Sequence, residues 1–240
     1  MTTAEIRSTG NRLGGWLRPI GIGLLAIVVV VAGGVAVWRL VRHYHDSVAL
    51  SGRSADTTPV SVTIAGNALA IPANMIRTGR QRRGGAAERV DLLLDWPDLN
   101  GYSAEDAEPF RNGSPIAPLI YVSIVAADSA LDSTGRLEPV YSRFFTGDPV
   151  RGPSGLTGRL LSEDSGYRGE QIFYQPGVKQ PFVARCIATA TPEVPATCLR
   201  DVQIAPRLSM LYRFDRFYLG DWQEMEGKLR DLALRLLAPR

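Results

Sequence analysis

Val60-Ser-Val-Thr-Ile-Ala-Gly-Asn-Ala-Leu-Ala-Ile71 decides the fold class. Val60, Val62 and Ile64 alternate with Ser61 and Thr63, the period of a strand with one covered face. Gly66-Asn67 is a hairpin turn signal, and Leu69 with Ile71 begins a return strand. The segment therefore predicts antiparallel pairing between neighbours in sequence.

The same grammar continues downstream. Val90, Leu92, Leu94 and Trp96 alternate with Asp91, Leu93 and Asp95 until Pro97. Leu119–Ala126 is almost continuously apolar and predicts a central strand covered on both faces. Further strands are expected at Gly158–Ser162, Gln171–Tyr174, Phe182–Ile187, Cys198–Ile204 and Leu208–Phe214, separated by turn clusters at short spacing. Near the C-terminus the period changes. Leu219, Trp222, Met225, Leu229, Leu232 and Leu236 recur at three and four, a helical stripe, with Asp221 and Glu224 placed as a capping box. The expected fold is α+β: a mostly antiparallel β domain on which one amphipathic helix lies.

The N-terminal part reads differently. Pro19 to Trp38 carries no charge and includes Ile27-Val-Val-Val-Val31. Twenty residues at about 1.5 Å each give about 30 Å, the thickness of a bilayer's hydrocarbon core. Trp16 and Trp38 fall where aromatic rings favour the headgroups. The expected organisation is a cytoplasmic tail (1–18), a transmembrane helix (19–38), a polar linker (39–58) and a folded domain (59–240). Basic residues flank the span equally, so charge sets no orientation. Cys186 and Cys198, in two strand-like runs joined through Pro192 and Pro195, are placed to pair as antiparallel neighbours. A disulfide there needs an oxidising compartment, which puts the domain in the periplasm.

The formal charge of +3 belongs to the N-terminal part, where six Arg face Glu5, Asp46 and Asp56. Residues 57–240 carry 21 basic and 21 acidic side chains, which argues against a nucleic-acid-binding surface. Both histidines, His43 and His45, precede the folded domain. A Ser-His-Asp triad and a His-based metal site therefore lack their central residue there. No Gly-rich phosphate loop is present, and neither a metal nor a cofactor is expected. Asp91 and Asp95 share a strand face about 13 Å apart, at about 3.4 Å per residue. A glycosidase pair needs about 5–9.5 Å. Asn112-Gly-Ser114 matches a glycosylation sequon, read as chance in so Arg-rich a chain.

One local feature suggests binding. Arg77, Arg80, Arg82, Arg83 and Arg89 crowd 13 residues of an otherwise neutral domain. Such a cluster offers a face to anionic lipid, an acidic polymer or an acidic partner; a solvated loop is the plainer reading.

The short tail, the Val-rich span, Val62-Thr-Ile-Ala-Gly66, Arg89-Val-Asp-Leu-Leu-Leu-Asp-Trp-Pro97 and the cysteine pair together resemble uncharacterised single-span inner-membrane proteins of alphaproteobacteria. That resemblance rests on layout and brings no activity with it. The expected role is a non-enzymatic binding or scaffolding component of the cell envelope, anchored in the bilayer through residues 19–38 and partnered by another envelope protein or an anionic envelope component. A carboxylate-dependent hydrolase of cell-wall glycan is the second reading.

Overall fold

The computed structural model of the chain describes residues 28–39, 52–111, 118–127, 131–191 and 194–237. The tail 1–18, the expected span up to residue 27, both histidines and the Asn112 sequon lie outside the described residues. Two compact units are present, Met1–Ala49 and Leu50–Arg240. In the first, residues 28–39 are helical (α1), and Val28 to Val31, Val35, Val37 and Trp38 are exposed. Among the described residues no helix is long and apolar enough to cross a membrane.

The second unit opens with the expected hairpin, β1 (Pro59–Ile64) and β2 (Asn67–Pro72). Ile64 pairs with Asn67, so the turn centres on Ala65 and Gly66, one residue earlier than Gly66-Asn67. Both turn residues have positive φ, which glycine meets without strain and matches the twist of a two-residue hairpin. The two-residue β3 (Gly85–Ala86) adds to β1 in parallel and completes a three-stranded sheet, order β2-β1-β3.

An eight-stranded antiparallel sheet forms the body. Its strands are β4 (Arg89–Asp95), β5 (Leu119–Ala126), β6 (Phe145–Arg151), β7 (Thr157–Leu161), β8 (Glu170–Tyr174), β9 (Val183–Ile187), β10 (Thr197–Ala205) and β11 (Leu208–Asp215). The order is β4-β5-β11-β10-β9-β8-β7-β6. Sequence periodicity anticipates all of these except β6, which has no buried position.

One face of this sheet is the core. Val90, Leu92 and Leu94 of β4, Ile120, Val122 and Ile124 of β5, and Met210, Tyr212 and Phe214 of β11 pack against Ile64, Leu69 and Ile71 of the hairpin and against α2 (Trp222–Leu236). The α2 stripe buries Trp222, Met225, Leu229, Leu232, Ala233 and Leu236. Each fully buried apolar side chain of this size contributes about 1.5–3 kcal/mol, so tertiary packing holds the helix. The expected capping box is not formed: Asp221 makes no side-chain cap bond. A 3-10 turn, Arg216–Asp221, runs straight into α2, and Asp215 caps that turn by accepting from the Phe217 N–H at 2.8 Å. Glu224 instead pairs with Lys228 at 2.8 Å.

Among the described residues, the second face is covered at its two sides. Phe110, beside Tyr102, lies on Leu93 and Leu119. Leu137 and Tyr141 lie on Leu161, Ile172 and Val183. Between these covers β5, β11 and β10 are open: Tyr121 and Arg213 are exposed, and Ser123, Leu211 and Leu199 are half-buried. The expectation that β5 is covered on both faces is thereby corrected; Tyr121 is 41 % exposed.

Cys186 of β9 and Cys198 of β10 stand directly opposite each other and form a disulfide, with their Cα atoms 4.0 Å apart on the core face. The sheet's edges differ. Beside β4, Met75 and Arg77 take up its outer groups: the Leu93 N–H donates to the Met75 carbonyl at 2.9 Å, and the Arg77 N–H to that of Asp91 at 2.8 Å. At the other edge, β6 carries Pro149 and a register shift between Thr146 and Val150.

Candidate functional site

The five arginines singled out in the sequence do not form one face. Arg82 turns inward. Its Nε donates to the Ala73 carbonyl at 3.2 Å, and its terminal nitrogen to the carbonyls of Ile76 (3.2 Å) and Gly52. Arg89 is exposed but committed: its Nε lies 2.6 Å from Asp91, and it also donates to Ser123 Oγ at 2.9 Å. Arg80 and Arg83 are exposed beside a shallow groove that Arg89 also lines. Arg77 points elsewhere, its guanidinium 5.4 Å from the centre of the Tyr121 ring on the open sheet face. The cause is local. The 3-10 turn at Gln81–Arg83 rotates successive side chains apart, and β4 pairing fixes Arg89.

Among the described residues, a cleft of about 810 Å³ lies between α2 and β10–β11. Lys179, Gln203, Arg230 and Leu234 are exposed at its rim; Arg200, Tyr212 and Glu226 form its inner wall. Arg200 faces the core because it alternates in register with Cys198 and Val202. Glu226 is drawn in because it follows Met225 on the buried stripe of α2.

These three side chains saturate one another. Arg200 Nε and its terminal nitrogen donate to the two Glu226 oxygens at 2.9 and 3.0 Å, a bidentate pair. Its other terminal nitrogen donates to the Val183 carbonyl at 3.0 Å and to Thr134 Oγ1 at 3.2 Å. Tyr212 donates its hydroxyl to Glu226 at 2.7 Å. The Phe182 ring lies 4.8 Å from the guanidinium and 4.8 Å from the Trp222 ring.

The electrostatics follow from that geometry. Burial opposes the Glu226 charge, but the hydrogen bonds and charge of Arg200, with the Tyr212 hydroxyl, hold the carboxyl below the usual carboxylate range. Burial also works against Arg200, and Tyr212 and Glu226 outweigh it, keeping the guanidinium above its ordinary range. Burial pushes the Tyr212 phenol well up. All three are locked in one protonation state at neutral pH. A second tie sits nearby: Arg136 pairs with Asp201, which also accepts from Ser133 Oγ at 2.6 Å.

The two carboxylates of β4 have opposite surroundings. Burial raises Asp95, with Asp98 and Asp106 adding to it against the Asn100 N–H. For Asp91 burial is outweighed by hydrogen bonds from Ser123, Arg89 and Gln81, which lower it. Among the described residues no group of three or more His, Cys, Asp or Glu side chains is arranged to hold a metal ion.

Comparison with known proteins yields likeness of fold. No protein-family model and no curated protein matches the chain. Among solved structures, Smlt3025, an immunity protein of the Stenotrophomonas maltophilia type IV secretion system, is similar with a TM-score of 0.52 at 19 % identity, covering 79 % of this chain and 97 % of that one. The Neisseria meningitidis iron-regulated outer membrane lipoprotein FrpD is matched with a TM-score of 0.46 at 13 % identity, over 78 % and 96 % of the two chains.

Sequence reasoning missed Arg200, Glu226 and Tyr212. A signal was present in Cys198-Leu-Arg-Asp-Val202, where an arginine takes the inward position of an alternating strand.

Proposed function

We propose that the chain is a membrane-tethered component of the bacterial envelope. Residues 19–38 cross the inner membrane, and residues 59–240 recognise another envelope protein on the periplasmic side. One observation carries the choice of recognition over catalysis: the ionisable groups on the inner wall of the cleft beneath α2 are bound to one another. Arg200 and Glu226 pair bidentately and Tyr212 closes the set, so the cleft presents fixed shape and charge instead of a group poised to exchange a proton near neutral pH. The Cys186–Cys198 disulfide supports the oxidising compartment. The exposed valines of α1 support an apolar surrounding for that helix. The fold shared with Smlt3025, an immunity protein of a secretion system, agrees with a non-enzymatic component associated with the envelope.

The test is site-specific photo-crosslinking in intact cells, with the probe at the cleft rim (Leu234) or, as a control, at Arg168. Both positions are exposed. A partner protein captured at 234 and absent at 168, in the membrane fraction, is the expected result. Equal yields at both positions, or digestion of purified cell-wall sacculi by the chain, overturns the reading.

A further inference from the structure

The open channel on the second face of the large sheet gathers cations from three distant parts of the sequence. Arg213 of β11 stands opposite Tyr121 of β5 in register, which puts their side chains on one face about 5 Å apart at Cβ. Arg77 lies over the same Tyr121 ring at 5.4 Å. Arg53 lies over the Phe110 ring at 5.8 Å, at the side of the channel that Phe110 covers. Among the described residues none of Arg53, Arg77 and Arg213 has a carboxylate partner. The Nε of Arg53 is buried without a hydrogen-bond acceptor. Burial lowers the Arg53 pKa, and although Tyr121 opposes this, the like charges of Arg77 and Arg82 add to the lowering. The acids in register on this face are already engaged: Asp91 accepts from Ser123, Arg89 and Gln81, Asp201 on β10 from Ser133 and Arg136, and Asp215 at the end of β11 from the Phe217 N–H.

Three cations without a carboxylate partner of their own, two of them held on aromatic rings, make the channel a place that can take an anion. Ring stacking fixes a guanidinium's plane while leaving its N–H edge free for bidentate contact with a carboxylate. The floor beside the cations is partly apolar, with Tyr121, Leu211 and Leu199 reachable from solvent. Three strands at about 4.8 Å spacing give a width of about 15 Å between the covering segments, room for one peptide segment. A flat bilayer meets those covering segments before it reaches the floor.

We propose that the channel over β5, β11 and β10 binds an acidic segment of a partner protein, its carboxylates taken by Arg53, Arg77 and Arg213 and its apolar side chains by Tyr121 and Leu211. This rests on the domain being a binding component, but on a surface separate from the cleft beneath α2.

The experiment pans a displayed library of random twelve-residue peptides against the full chain in nanodiscs of neutral lipid. The expected peptides are enriched in Asp and Glu and weaken as salt rises. They lose at least about tenfold in affinity to the Arg77→Glu/Arg213→Glu variant, because two charge-assisted contacts become repulsive. They keep their affinity for Arg80→Glu/Arg83→Glu, whose exposed arginines lie outside the channel. Peptides without acidic bias, no enrichment at all, or equal loss in both variants overturns the proposal. So does adsorption to phosphatidylglycerol vesicles without peptide binding, which assigns the cations to lipid. Crosslinking from position 234 reports on the cleft independently, so either reading can fail without the other.

Discussion

Replacing Glu226 by Gln tests whether the Arg200–Glu226–Tyr212 set ties α2 to the sheet. The substitution keeps the shape and one acceptor oxygen, but it turns an N–H donor toward a guanidinium that is itself only 6 % exposed. Glu226 accepts three hydrogen bonds, at 2.7 and 2.9 Å on Oε2 and 3.0 Å on Oε1; the amide nitrogen removes at least one from Arg200, and the Tyr212 bond as well if it takes the Oε2 position, while what remains loses its charge complement. Breaking a buried ion pair from one side costs about 3–5 kcal/mol, and the retained oxygen and partial exposure place this variant near the lower figure, about 3 kcal/mol. For a domain of this size that corresponds to a melting temperature lower by about 6–12 °C. The triple variant Arg200→Met/Tyr212→Phe/Glu226→Leu removes all the polar groups together and is expected within about 2 kcal/mol of wild type, above the single variant. Acidity adds a second check. The folded Glu226 carboxyl lies below its unfolded value of about 4.3, so its contribution is complete above that pH and is lost as pH falls through the folded value. The gap between wild type and Glu226→Gln therefore narrows below about pH 4. Denaturant unfolding and thermal melts, both followed by circular dichroism, read these quantities. A Glu226→Gln variant within about 1 kcal/mol of wild type at pH 7, or a triple variant less stable than the single one, refutes the reasoning.

Two further outcomes are expected. A Cβ on Gly101 would sit 2.6 Å from the backbone of Asn74 and Met75, so Gly101→Ala costs about 1–3 kcal/mol; Gly227→Ala, exposed within α2 with nothing in reach, gains about 0.5–1 kcal/mol in the same melts. Arg82→Ser loses the tether to three backbone carbonyls and costs about 1–2 kcal/mol, whereas Arg80→Ser and Arg83→Ser each stay within about 0.5 kcal/mol.

That last contrast marks where sequence reading stopped. Strands with one covered face, such as β1 and β4, announce themselves because solvent on one side and core on the other impose period two. The α2 stripe does the same at period 3.6. The strand β6 has exposed or half-exposed positions throughout and contains Gly147 and Pro149, so no burial contrast exists to be read. The arginine run is adjacent in sequence but divided in space, since one 3-10 turn sends Arg82 inward and leaves Arg80 and Arg83 outside. Conversely, the cations of the open channel come from residues 53, 77 and 213 and meet only after β5 and β11 pair. The cysteine pair was legible because two strands and a Pro-containing connection leave one economical register, and that register brings Cys186 opposite Cys198.

The two ends of the large sheet bear on how these molecules live beside one another. Under the proposed anchoring, copies of the chain would share one membrane surface, and lateral crowding there would raise the rate of accidental encounters. Unpaired strand edges are where such encounters become permanent, by growth of one sheet into the next. Here one edge is occupied by Met75 and Arg77, and the other is interrupted by Pro149, which has no N–H to offer. Neighbouring copies can therefore collide by sheet edge and separate again.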